Sequence, residues 1–367
     1  MSRRFSLVVI LLSVFCLPAN LAAFDLDQVV GQVSESHYRQ FHTNVENSGL
    51  GLYGGSSYNQ GYRGRDGNAG DGSLGNQEAR LYLQDSFASF GLDVSVQGTY
   101  KNVVGELRGK TNPDRIFIIG AHYDTTSGGD RPGGDDNASG TAAVLEAARV
   151  LSQYEFDATI RFIGFNAEED GLLGSRDYVD NYVIPNNQNV VGMINLDMIL
   201  RPAFDSGNQA IDLDLSTRTS NTAAVDLAEK FINIAAEHAP TLQIDDTIAN
   251  LNGGSDQDSF ARRGIAAFLA SENTASEIWG GSNDYYHTTN DASDRLANDP
   301  NSPSGVTYDF AFATDVTRAS VGLLASEAGL HASVPEPGTV GMCILLGSGA
   351  LIVVLRRRKT RVALADA

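Results

Sequence analysis

Short runs of buried-strand type at 116–119, 159–165, 190–197 and 265–270 alternate along this chain with helical stretches at 141–151, 178–183 and 223–238. Strands separated by helices imply a mostly parallel sheet covered on both faces. The expected fold class is therefore α/β, three layers in the order α/β/α around a mostly parallel mixed central sheet. In such sheets functional side chains collect beyond the carboxyl ends of the strands. His122 follows the first run, Glu168 follows the second and Asp197 closes the third, so sequence order alone brings them to one edge. Ahead of this region, 24–47 carries a modest helical pattern, and 48–75 is rich in Gly, Ser, Asn and Tyr with no apolar period, as expected of a surface loop. A helix is expected at 77–90, closed by Gly91.

The residues gathered at that edge are of the types that hold metal. His122 is followed two residues on by Asp124, a natural acceptor for the second N–H of a ligating imidazole. Asp135 and Asp136 stand between Gly133-Gly134 and Gly140 just before a helix, where tight backbone geometry is permitted. An acid or Ser139 there would equally serve as a helix cap. The adjacent Glu168 and Glu169 would repel unless a cation or proton lay between them. One acting as ligand and the other as base resolves the conflict. His287 lies in a polar stretch from Gly280 that could fold back over the site. Two metals about 3.5–4 Å apart, sharing one carboxylate, would suit such a set. His37, His42, His238 and His331 lack comparable neighbours and read as ordinary residues. Met198 and Phe268 hint at an apolar pocket beside Asp197, and plain core packing accounts for both equally well.

Taken together and in this order, the motifs resemble the metallo-aminopeptidase family M28, of the secreted bacterial leucyl aminopeptidase type. The resemblance runs from about Asn102 to Asp291. It implies a zinc-peptidase (phosphorylase/hydrolase-like) architecture, with a catalytic core at 101–333 preceded by an N-terminal part at 24–100. It also implies two zinc ions per chain, one on His122 and Asp197, the other on Glu169 and His287, with Asp136 bridging. Glu168 would be the general base, and Asp124 would stand behind His122. The reaction implied is hydrolysis of the N-terminal peptide bond of peptides or proteins with a free amino terminus. The chain departs from such relatives at Asn252-Gly253-Gly254-Ser255-Asp256-Gln257, which lacks their cysteine pair and tyrosine and has Gln for His. Asn252, Tyr285 and Tyr286 are candidates for the missing donor to the oxyanion. Two other activities fit the same scaffold: a glutaminyl-cyclase-like enzyme with one zinc, and a non-catalytic extracellular matrix or binding protein.

The ends carry signals of another kind. Arg3 and Arg4, an apolar run at 5–17 and small residues to Ala23 read as a signal peptide over 1–23. At 334–367 stand Val334-Pro335-Glu336-Pro337, an apolar stretch at 338–355 and a basic cluster from Arg356. Eighteen residues at about 1.5 Å rise just span a hydrocarbon core. That tail resembles the PEP-CTERM sorting signal, which implies an exosortase-type partner, export, anchoring by the helix and then release to the cell surface or medium. Cys16 and Cys343 lie in these end segments, so the domain between them has no cysteine to pair. Without the terminal Arg3, Arg4, Arg356, Arg357, Arg358, Lys359, Arg361, Glu336 and Asp366, residues 24–333 hold 19 basic and 43 acidic groups. A surplus of that size argues against nucleic acid as a partner.

Overall fold

The computed structural model describes residues 26–51, 63–67, 72–202, 212–245, 247–273, 283, 285–296 and 308–331. The chain divides into one unit at 1–332 and another at 333–367. The signal-like leader, the Pro-Glu-Pro tail and most of the Gly-rich stretch lie outside the described residues. Among the described residues no helix is long and apolar enough to cross a membrane.

Eight strands form the central sheet: β1 (Asp93–Gln97), β2 (Asn102–Leu107), β3 (Asn112–His122), β5 (Ala158–Phe165), β6 (Asn189–Leu196), β7 (Asp214–Thr217), β8 (Ala249–Asn250) and β9 (Ala267–Ser271). Their spatial order is β1-β2-β5-β3-β6-β9-β7-β8. The four central strands, β5, β3, β6 and β9, run parallel, whereas β1, β2 and the β7–β9 pairing are antiparallel. A two-stranded pair joins β4 (Glu155–Phe156) to β10 (Leu330–His331).

Period-two alternation divides the sheet residues between two cores. Phe117, Ile119 and Ala121 of β3 face a larger cluster, and Ile116 and Ile118 face a smaller one. The larger cluster packs against α1 (Leu26–Val30), α2 (Glu35–Glu46), α3 (Leu74–Ser89), α4 (Ala138–Leu151), α6 (Thr222–His238) and α8 (Phe310–Glu327). The smaller one is covered by α5 (Leu173–Tyr178), the π turn after it, and α7 (Gln257–Ala261). This is the three-layer α/β/α arrangement expected.

Helix α4 is buried at all but one of its residues, and its many Ala, Ser and Gly positions let neighbours approach it on every side. Asn137 caps it by accepting from the Gly140 amide at 2.8 Å. α8 was not anticipated, because a helix buried almost all round has little amphipathic contrast to read.

One described part of the Gly-rich stretch departs from the surface loop expected there. Residues 63–67 run through the interior, where Arg65 is wholly buried and Asp66 bridges to Thr125. The Arg65 guanidinium donates to the carbonyls of Tyr123 (2.7 Å), Pro132 (2.5 Å) and Gly133 (3.0 Å). These carbonyls turn inward where the chain bends before Asp135, and one planar cation with five donors satisfies them.

Candidate metal centre

The structure brings His122, Asp136, Glu169, Asp197 and His287 together at the carboxyl edge of the parallel strands. They form two groups, His122–Asp136–Asp197 and Asp136–Glu169–His287. Asp136 belongs to both, offering one oxygen to each. Its Oδ1 lies 3.2 Å from His122 Nε2, and its Oδ2 lies 3.1 Å from His287 Nε2. His122 Nε2 is also 3.3 Å from Asp197 Oδ1, and His287 Nε2 is 3.0 Å from Glu169 Oε2. A single imidazole N–H cannot bond well to two carboxylates at once. All four separations also exceed the 2.7–2.9 Å usual for a charge-assisted bond. They come close to the edge of a tetrahedron with bonds of about 2.0–2.1 Å, which is about 3.3–3.4 Å. The donors are thus spaced as ligands around a cation.

Each ligand is held by a neighbour. Asp124, wholly buried, accepts from the amides of Glu168 (3.2 Å) and Glu169 (3.3 Å), fixing the turn that follows β5. The second nitrogen of His122, Nδ1, stands 3.5 Å from Asp124 Oδ1. Asp291 accepts from the amides of Asp135 (2.8 Å) and Asp136 (3.0 Å). His42 Nε2 bonds the Gly134 carbonyl at 2.7 Å from within α2. Ser255 donates to Asp197 Oδ2 at 2.5 Å. Gly140 lets α4 approach β6, since a Cβ there would lie 2.2 Å from the Leu196 carbonyl oxygen. Backbone strain is concentrated here too: Ala167, Met198 and His287 adopt positive φ, at 54°, 58° and 58°.

An adjoining cleft, with about 470 Å³ of open space, is lined by Glu168, Met198, Gly254, Ser255, Leu269, Ser271, Asn273 and Tyr286 besides the ligands. Glu168 therefore faces the cleft from outside both groups of ligands. Tyr286 stacks on His287 with ring centres 3.6 Å apart, whereas Tyr285 is buried under Arg201 and Asn252 is not among the residues lining the cleft. Phe268 does not line it. That ring is buried against Phe231, and Leu269, the next residue, points into the cleft instead. His42, Arg65, Ser255 and Asp291 were not singled out from sequence, because each acts through a contact distant in the chain.

The metal-free electrostatics follow from burial. Burial raises Glu169 to about 7, reinforced by Asp136, and raises Asp256 and Glu272 to about 7 and Asp291 to about 6. Burial also lifts Glu168 well above the carboxylate range, with His122 opposing and Asp197 and Asp256 assisting. For His287 burial alone would lower the pKa, but Asp136 and Glu169 outweigh it and hold the ring up to about 10. All these groups bind protons more readily folded than unfolded. Their stabilisation is full below the unfolded values and is lost as pH rises through the folded ones. Asp136, held below its ordinary value, has the opposite sign but acts only below about pH 4. The chelated protein should therefore melt at a lower temperature at pH 8 than at pH 5. Added divalent metal should shrink or reverse that drop, because metal replaces the protons. Scanning calorimetry at both pH values, with chelator and with metal, checks this; a chelated protein more stable at pH 8 would contradict it.

Comparison with known proteins places residues 102–303, just over half of the chain, within Peptidase family M28. A probable zinc metalloprotease of Pyrenophora teres f. teres is 40% identical over 111 residues, covering 29% of this chain and 24% of the relative. The aminopeptidase YwaD of Bacillus subtilis is 31% identical over 228 residues, covering 60% of this chain and 46% of the relative. The chain thus spans from a quarter to about half the length of these curated relatives. Among solved structures, the LapA aminopeptidase of Legionella pneumophila superposes with a TM-score of 0.63 at 20% identity, over 83% of this chain and 74% of its own. At that identity the likeness speaks for the fold.

Proposed function

The chain belongs to peptidase family M28, and on that premise we propose that it is a dizinc aminopeptidase removing single residues from the N-termini of peptides. The observation that carries this reading is the sharing of Asp136 between two ligand groups, one oxygen to each. Zinc bound there would supply Lewis acidity toward the scissile carbonyl and toward water. The printed descriptions of the relatives as zinc metalloprotease and aminopeptidase agree with that choice of metal and reaction.

The protein's own groups then divide the work. Glu168, half-buried at the cleft and belonging to neither ligand group, accepts the proton of the attacking water on its carboxylate and passes it to the leaving amine. Asp124 keeps Glu168 and Glu169 in register through their amides. Tyr286, fixed by its stacking on His287, is the tyrosine at the cleft available to donate to the developing oxyanion.

Release of p-nitroaniline from aminoacyl-p-nitroanilides by the purified protein tests the reading. The expected result is release from free but not N-acetylated substrates, abolished by chelator and restored by zinc. A folded, zinc-loaded protein that releases nothing would overturn it, and cyclisation of glutaminyl peptides by the same sample would point to the cyclase chemistry.

The termini support a further proposal about location. The 1–23 leader and the Pro-Glu-Pro tail suit export, anchoring through 338–355 and processing by an exosortase-type enzyme. Fractionation of cells expressing the full chain should place it outside the cytoplasm; retention of an uncut chain in the cytoplasm would rule this out.

A further inference from the structure

A second cavity adjoins the metal centre. It has about 160 Å³ of open space and is lined by Thr125, Thr126, Arg131, Gly133, Thr288 and Asp291 besides three ligands. Those three, Asp136, Glu169 and His287, line both cavities, so the two meet at the metal centre. A peptide bond held there would place its first residue in the cleft and the residue after the bond toward Arg131.

Arg131 lines this cavity without a side-chain partner. Among the described residues its side chain forms no ion pair or hydrogen bond, and its Nε is buried. An unpaired buried donor is costly, and a guanidinium normally finds an acid. Several acids stand nearby, but each is engaged elsewhere. Asp130 takes the Arg63 amide at 3.0 Å, Asp136 and Glu169 face the histidines, and Asp291 takes the amides of Asp135 and Asp136. The loop is also shaped to admit the guanidinium. Gly128 has φ of 121°, and a Cβ there would lie 3.0 Å from Arg131 Nε. The Arg131 amide closes the turn on the Gly129 carbonyl at 2.9 Å. With Asp136 and Glu169 neutralised by metal and Asp291 committed to the Asp135 and Asp136 amides, Arg131 would be left as a cation of the cavity without a direct partner. Such a site suits a carboxylate, which a guanidinium binds with two parallel hydrogen bonds.

We propose that Arg131 anchors a carboxylate carried by the residue immediately after the scissile bond, which makes dipeptides the favoured substrate class. In a dipeptide the terminal carboxylate lies one residue, about 3.8 Å of chain, beyond the bond that is cut. The proposal rests on the aminopeptidase reading of the neighbouring centre, and the test separates the two.

The substrates are Leu-Ala and Leu-Ala-amide, which differ in the main-chain carboxylate, and Leu-Asp-amide and Leu-Asn-amide, which differ in a side-chain carboxylate. Wild type and Arg131→Gln are compared by the ratio of kcat/KM within each pair, with metal content and melting temperature as controls. A charged hydrogen bond of this kind corresponds to about a 10- to 100-fold preference for the acid. That preference is expected for Leu-Ala in the wild type, lost in Arg131→Gln and partly kept in Arg131→Lys. An Arg131-dependent preference confined to Leu-Asp-amide would support the anchor with a side chain as the source of the carboxylate. Turnover with ratios unchanged between wild type and Arg131→Gln overturns the proposal and leaves the aminopeptidase reading intact. If no substrate turns over, calorimetric binding of the same pairs decides. Tighter binding of the acids that depends on Arg131 keeps the anchor and removes the aminopeptidase; equal binding removes both.

Discussion

Glu168→Gln is expected to lower turnover by about 10²- to 10⁴-fold while leaving zinc content at the wild-type value. The two carboxylates of the 168–169 pair are adjacent in sequence, but the turn held by Asp124 sends them to different tasks. Glu169 reaches His287 and joins a ligand group, whereas Glu168 faces the cleft and joins neither. Glutamine keeps the volume and the hydrogen-bonding shape of Glu168 and removes only its ability to take up a proton. The loss should therefore fall on kcat, with KM nearly unchanged, as for a group that acts in the transition state. Glu169→Gln makes the contrast, since it should lose metal together with activity. Metal analysis and leucyl-p-nitroanilide kinetics on both variants decide the assignment. A Glu168→Gln enzyme within tenfold of wild type would remove Glu168 from the base role, and one that had lost zinc would make it a ligand.

The sequence was informative where function coincides with local pattern. β3, β5 and β6 were legible as apolar runs because they are buried on both faces; β3 ends on a ligand, β6 ends one residue before one, and β5 leads through a short turn to Glu169. His122, Glu169 and Asp197 could be placed at one edge for that reason, and Asp136 because glycines and a helix start surround it. What was not legible depends on contacts across the chain. Arg65 reaches the carbonyls of 132 and 133 from a stretch whose composition suggests a loop. His42 holds Gly134 from ninety-two positions away. Asp291 fixes the amides of Asp135 and Asp136 across the whole catalytic region. Strand parity decides between the pocket and core readings open to Phe268: in β9, Leu269 and Ser271 share a face and line the cleft, while Phe268 and Ala270 share the other and fill the core. A one-residue slip in reading a strand exchanges lining for packing.

Asp136→Ala is the second variant with a large expected effect, and its effect should differ in kind. Alanine deletes both oxygens at once, leaving His122 with Asp197 and His287 with Glu169, two protein ligands at each position. Catalytic zinc is commonly held by three. Both metals should therefore weaken together, even though only one residue has changed. Asp136→Asn keeps one carbonyl oxygen and should retain metal at one position at most. The backbone there is independently fixed by Asp291 and the Arg65 network, so the substitution should leave the fold intact. Loss of metal would then be readable as loss of ligands rather than as unfolding. Thermal stabilisation on adding zinc offers a second measure. A site filled at a hundred times its dissociation constant adds about 2.7 kcal/mol, and a site that no longer binds adds nothing. Wild type should melt at a higher temperature with zinc than with chelator, while Asp136→Ala should melt at the same temperature in both. An alanine variant that still carried two zinc ions per chain would show that the two ligand groups hold their metals independently, and Asp136 would lose its place as the bridge.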